Sequence, residues 1–132
     1  MAKNKVIDPI GQILTLAARR HRIRTAAMLS DIGLFPGQDK VLEALQGVEG
    51  LTMSEIAATL DVRPPTASKM VARMAAQDLL ERKGREGDAR MVMVSITEVG
   101  RGRLDDLRRI AKRVEREALD GLDDKDIRRL RR

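Results

Sequence analysis

Two adjacent prolines, Pro64 and Pro65, constrain this chain more than any other pair of residues. A proline ring fixes φ and carries no N–H, so it fits the first turn of a helix and breaks a helix interior. Both flanking stretches have helical spacing. Ahead of the prolines, "LTMSEIAATLDV" places Ile56, Ala57 and Leu60 on one face, and behind them "TASKMVARMAAQD" does the same with Ala67, Met70, Val71 and Met74. One continuous helix is therefore excluded, and two helices meet at a tight turn. Thr52 and Glu55 form T-x-x-E, a capping box that marks where the first of them starts.

Helical spacing also extends upstream. Residues 6–30 read as one long helix, with Ile10, Ile13, Leu14, Ala17, Met28 and Leu29 at a period of 3.6 after Val6 or Ile7, and with "RRHRIR" as a charged, solvated face. "DIGLFPG" ends it at Gly33 and restarts a helix near Pro36, which runs over about 36–46 through Val41, Leu42 and Leu45 until "GVEG" closes it. Past residue 77 the period falls to about 2. "LLERK" and "MVMVSI" flank the loop "RKGREGDAR", and Val92, Val94 and Ile96 alternate with Met91, Met93 and Ser95, which predicts an antiparallel hairpin. Thr97 then caps a long helix through Leu104, Leu107, Ala111, Val114 and Ala118, and a last amphipathic piece starts near Asp123 with Ile127 and Leu130. The fold class is mainly α with a small antiparallel β-hairpin.

With 132 residues the chain suits one domain, and with 42% apolar residues it can pack a core, built from Leu, Ile, Val, Ala and 7 Met because Phe35 is the only aromatic. Met70, Met74, Met91 and Met93 are read as core and hairpin packing. The lack of aromatics disfavours base-stacking platforms for single strands. No cysteine means no disulfide, thiolate metal site or thiol redox sensor. His21 is the only histidine, so proton-transfer and nucleophile sets are nearly empty, and no catalytic residue, metal site or cofactor is expected. "DGLDDKD" lacks the order of a calcium loop, and Asp123 as an N-cap explains it better. No apolar run reaches the ~18 residues of a membrane span and no leader peptide opens the chain, so a cytoplasmic location is expected. The net charge of +6 favours a polyanion. The surplus is spread out, with 7 basic residues against 6 acidic in 1–60, 7 against 5 in 61–96 and 12 against 9 in 97–132, so it locates no face.

Two short helices and then a β-hairpin is the order of a winged helix-turn-helix, whose second helix enters the DNA major groove. That helix, 64–77, offers Arg63, Pro65, Thr66, Ser68 and Lys69, with Arg73 one turn past Lys69 on the same face. Thr66 and Ser68 also fall where helix N-terminal amides are expected to point outward to a phosphate.

Residues 51–100, "LTMSEIAATLDVRPPTASKMVARMAAQDLLERKGREGDARMVMVSITEVG", resemble the MarR-type regulators. The sharpest match is D-x-R-x-x-x-V-x-[LI]-T-x-x-G, carried by Asp88, Arg90, Val94, Ile96, Thr97 and Gly100. The resemblance implies a single domain over 1–132, with a winged helix-turn-helix at 36–96 flanked by dimerisation helices at 6–30 and 97–132. It implies a homodimer on a pseudo-palindromic double-stranded operator, acting as a repressor and released by a small anionic or aromatic effector bound between the dimer region and the winged helix. Arg90 and Arg85 are implied wing contacts, and Asp88 an acid that braces a basic side chain such as Arg73. His21 is then a partly buried residue paired at the dimer seam, or an effector contact or pH-sensitive group. The family's last helix is longer than the one that ends here at Arg132, so a shortened C-terminal helix is expected. Two other functions fit a winged helix: a protein-interaction module, and a nonspecific DNA-coating protein.

Overall fold

The computed structural model describes residues 9–85 and 88–132, and the side chains of these except at 85 and at 88–91. In chain order the elements are α1 (Ile10–Asp31), α2 (Gln38–Ala44), β1 (Leu51–Thr52), α3 (Met53–Leu60), α4 (Pro64–Ala76), β2 (Leu80–Arg85), β3 (Asp88–Ile96), α5 (Glu98–Ala118) and α6 (Asp124–Leu130).

Three helices stop by one device. Gly33, Asp61 and Asp78 adopt left-handed backbone, with φ of 75°, 53° and 60°. Behind each, two amides reach back in the crossed pattern of a Schellman motif: Gly33 to Ser30 and Leu34 to Leu29, Asp61 to Ala58 and Val62 to Ala57, Asp78 to Ala75 and Leu79 to Met74. The motif turns the chain sharply and sends Leu34 and Leu79 into the core. Aspartate visits this backbone more readily than most residues because its short polar side chain can hydrogen-bond locally.

α2 begins two residues later than the spacing suggests. Gly37 has φ 94° and is not helical, so Pro36 lies in the turn before the helix rather than in its first turn. The three hydroxyl or carboxylate caps appear where the sequence places them. Thr52, Thr97 and Asp123 accept from the amides of Glu55, Gly100 and Asp126. Glu55 reaches back to the Thr52 hydroxyl, at 3.1 Å, rather than to the Thr52 amide.

The hairpin belongs to a three-stranded antiparallel sheet in the order β1-β3-β2. β2 runs against β3 from Leu80↔Ile96 to Gly84↔Val92, where an irregularity shifts the pairing to Arg85↔Asp88. β1 is the element that spacing missed: two residues cannot display alternation. It pairs Leu51 with Val94 and Thr52 with Met93, and so covers the outer edge of β3.

The core lies between α2, α3, α4, the sheet and the first half of α5, and is aliphatic. Val41, Leu42, Leu45, Val71, Met74 and Val94 are wholly buried. Gln38 is the one buried polar side chain in it, and among the described residues no buried side-chain polar atom lacks a partner. From α1 only Met28 and Leu29 are buried.

α4, the hairpin and α5 meet at one joint. The Thr97 hydroxyl donates to the Asp78 carbonyl, the Thr97 amide donates to the Leu79 carbonyl at 3.2 Å, and the Gly100 amide donates to the Thr97 hydroxyl oxygen at 3.1 Å. Gly100 has ordinary helical backbone and is needed for its lack of bulk. A Cβ there would run into the Leu79 carbonyl oxygen and lie 2.8 Å from Ile96 Cγ1. The T-x-x-G pattern thus describes one contact: the threonine caps the helix, and the glycine lets the capped turn close on the end of α4. Gly100→Ala is expected to destabilise the fold by about 1–3 kcal/mol, the usual cost of overpacking. It should lower the urea midpoint at unchanged slope, and a midpoint equal to wild type would contradict the close approach.

Candidate nucleic-acid interface

α4 is set up by its prolines. Arg63 is its extended N-cap residue, and Pro64 and Pro65 fill the first two helical positions. This arrangement corrects one expectation. Neither proline has an N–H, the amides of Thr66 and Ala67 both donate to the Arg63 carbonyl, and Ser68 is already inside the helical ladder. The first turn of α4, Pro64 to Ala67, therefore offers no free amide to a phosphate, and a contact from that turn must come from side chains.

Those side chains are presented. Ala67, Val71 and Met74 hold α4 to the core, while Arg63, Pro65, Thr66, Ser68, Lys69 and Arg73 are all exposed. Thr66, Lys69 and Arg73 follow one another at three- and four-residue steps, so they form a ridge on one face. At its far end the Arg73 guanidinium lies 5.5 Å from the centre of the Phe35 ring.

On the other side of α4 an open groove of about 620 Å³ separates it from the sheet. Ser68 lines it together with Ser54 from the first turn of α3 and Arg82 from β2. Sequence reading gave Ser54 no role and placed Arg82 only on the strand leading into the hairpin. Nothing local marks either residue; the fold brings them beside Ser68. The backbone of Arg85, Asp88 and Arg90 lies at the hairpin end of β2 and β3. Their side chains, and with them the assigned wing contacts and the brace to Arg73, fall outside the described residues.

A second depression, of about 190 Å³, opens between α1, α2 and α5. Leu29, Leu107 and Val114 contribute apolar walls, and His21, Asp39, Lys40, Glu43 and Glu115 also line it. His21 is exposed in the single chain, on a stretch of α1 that projects beyond its core. Nearby, Arg24 of α1 grips Glu117 of α5 through two hydrogen bonds of 2.7 and 3.0 Å, and Arg113 stands 3.5 Å from the same carboxylate. The hydrogen bond from Arg24 holds the Glu117 carboxyl below its ordinary value; desolvation opposes it, and the charges of Arg24 and Arg113 add to the lowering. Among the described residues no group is arranged to hold a metal ion, and no helix is long and apolar enough to cross a membrane.

Residues 40–91 match the MarR family model. A probable transcriptional regulator from Pseudomonas aeruginosa is similar at 27% identity over 94% of this chain and 92% of that one, with a TM-score of 0.79. A mutant MarR from E. coli, solved in complex with operator DNA, superposes with a TM-score of 0.79 at 20% identity, covering 99% of this chain and 94% of that one. BpsR of Bordetella bronchiseptica, described for regulation of its DNA binding by 6-hydroxynicotinic acid, gives 0.78 at 22% identity over 92% of each chain. Comparison with curated protein sequences gives no match.

The lowered Glu117 value fixes a pH dependence. A carboxylate whose value is depressed by folding contributes its stability fully above the unfolded value, near ~4.3, and loses it as pH falls through the folded value. The gap in melting temperature between wild type and Glu117→Gln should therefore be constant from about pH 8 to about pH 5.5 and close below about pH 4. The gap should be small, because both partners are exposed and water screens them. A gap that widens on acidification would contradict the assignment.

Proposed function

We propose that this chain, which carries the MarR-family winged helix, binds a specific double-stranded operator as a cytoplasmic homodimer and represses transcription from it. Members of the family are transcriptional regulators and not enzymes. The observation that carries the reading is the exposed ridge of Thr66, Lys69 and Arg73 on a helix whose opposite face is locked into the core. Thr66, Ser68 and Lys69 are short or basic groups of the kind that contact base edges and phosphates, and Arg63 and Arg73 flank them with charge. The hairpin adds Arg82 beside Ser68. Arg85 and Arg90 belong to the proposal as wing contacts, and Asp88 as a brace for a basic side chain such as Arg73. An exposed face of Thr, Ser, Lys and Arg does not suit the alternative of an apolar docking module.

Dimerisation is supported by apolar surface that the protomer leaves uncovered. Ile10 is 76% exposed and Leu14 63%, and Ile13, Leu16 and Ile23 accompany them along α1, as Leu122 and Leu130 do around α6. Such a patch marks an interface, and a twofold dimer would set two copies of α4 about one DNA turn apart.

The depression between α1, α2 and α5 is the proposed effector site, with His21 as a lining contact. Its apolar walls favour a small organic molecule. Three acids, Asp39, Glu43 and Glu115, stand around it against the single lysine Lys40, which is itself 3.4 Å from Glu43. That balance supports a neutral or cationic effector over an anionic one.

Selection of bound sequences from random duplex DNA tests the function. A recovered inverted repeat is expected, and no enrichment over random competitor would overturn sequence specificity. On the recovered site, Lys69→Ala should weaken binding and reduce the log–log salt slope by ~0.9, one phosphate's worth of counterion release. Leu14→Glu should sediment as a monomer with operator affinity largely lost, and a dimer at the wild-type position would remove α1 from the interface.

A further inference from the structure

We infer that Phe35 is a positioning residue for DNA binding: its ring, on the loop between α1 and α2, holds the Arg73 guanidinium in place on the exposed face of α4. The inference rests on the DNA-binding reading above and adds a residue from outside the winged-helix motif.

Phe35 is the only aromatic residue in the chain, and it is 55% exposed. The core is aliphatic and does not need it. Its neighbour Leu34 fills the core position in this loop. The Arg73 guanidinium sits 5.5 Å from the ring centre, within the ~6 Å over which a cation is drawn to a ring face. Thr66 and Lys69 border the same shallow depression of about 200 Å³, so the stacked pair lies beside the residues proposed to meet DNA.

The ring is also fixed to the helix it serves. The Phe35 amide donates to the Gln38 carboxamide oxygen at 3.0 Å, and the Gln38 amide group donates to the Gln77 side-chain oxygen at 3.1 Å. The Gln77 amide group in turn donates to the Gly33 carbonyl at 3.2 Å. Gln77 is the C-cap residue of α4, four positions beyond Arg73. The loop that carries the ring and the helix that carries the arginine are thus one hydrogen-bonded frame. A long side chain ordinarily loses rotamer freedom when it binds; here part of that ordering is already present in the free protein.

A double-mutant cycle on the selected operator tests this, using wild type, Phe35→Leu, Arg73→Ala and the double variant, read by anisotropy of labelled duplex. Phe35→Leu keeps apolar bulk but removes the ring face. It should weaken binding about two- to five-fold when Arg73 is present, the span expected of an exposed cation–π pair, and have no effect in the Arg73→Ala background. Phe35→Tyr, which keeps the face, should restore what Phe35→Leu loses. Equal losses in both backgrounds would overturn the inference, because Phe35 would then act through the loop or touch DNA itself. In the free protein the Arg73 δ protons should be shifted upfield by the ring current and return to ordinary positions in Phe35→Leu; unshifted protons in wild type would also overturn it. If the wild type bound no duplex in preference to random DNA, the reading in the preceding subsection would fall and take this one with it. That result precedes any variant and is distinct from a cycle that closes without coupling.

Discussion

Everything proposed to face DNA is held relative to the long helix α5 by the joint between Asp78 and Gly100. Three hydrogen bonds and one missing side chain make it: Thr97 reaches the carbonyls of Asp78 and Leu79, and Gly100 lets the first turn of α5 close over them. On one side of this joint is the end of α4, on another the start of β2, and beyond it the helix that packs against α1. The Schellman turn at Asp78 delivers Leu79 to the joint from the α4 side, and the β2–β3 pairing delivers Ile96 from the other. A substitution at the joint therefore disturbs α4, the hairpin and α5 together, although no joint residue is among those proposed to contact DNA.

Local chemistry was legible in the sequence wherever one residue type can do only one thing. The Pro64–Pro65 break, the caps at Thr52, Thr97 and Asp123 and the change of period after residue 77 all stand in the structure as read. Errors arose where a local rule met its neighbour. Helix N-termini usually present amides, but prolines at the first two positions remove two of them and the Arg63 carbonyl occupies the next two. β1 is too short to have a period. Ser54 and Arg82 join the site only through tertiary folding, and Phe35 reads as a loop residue until Arg73 is seen above its ring.

The lack of free amides in the first turn of α4 has a chemical consequence for the proposed recognition. Backbone donors bind any phosphate whatever side chain the residue carries, proline excepted. In the proposed interface, contacts from the first turn of the helix come from side chains, so positioning and base reading would draw on the same few residues. Long-range charge contributes little to choosing the face, since the basic surplus is spread along the whole chain. What distinguishes α4 is the density of short polar and basic groups on one ridge, and the apolar anchors Ala67, Val71 and Met74 that fix which way the ridge points.

The ties that hold α4 to its surroundings through hydrogen bonds, at Gln77, Asp78 and Leu79, all lie at one end of the helix, and the residues proposed to read DNA lie toward the other. α4 has 13 residues, so its first turn is about 20 Å from those ties. In mechanical terms the joint is a fulcrum and the helix a lever arm. A tilt of about 5° there carries the first turn by about 1.7 Å, half of the ~3.4 Å rise between successive base pairs. A small change in the angle between α5 and the winged helix would thereby move the first turn of α4 by a large fraction of a base-pair step.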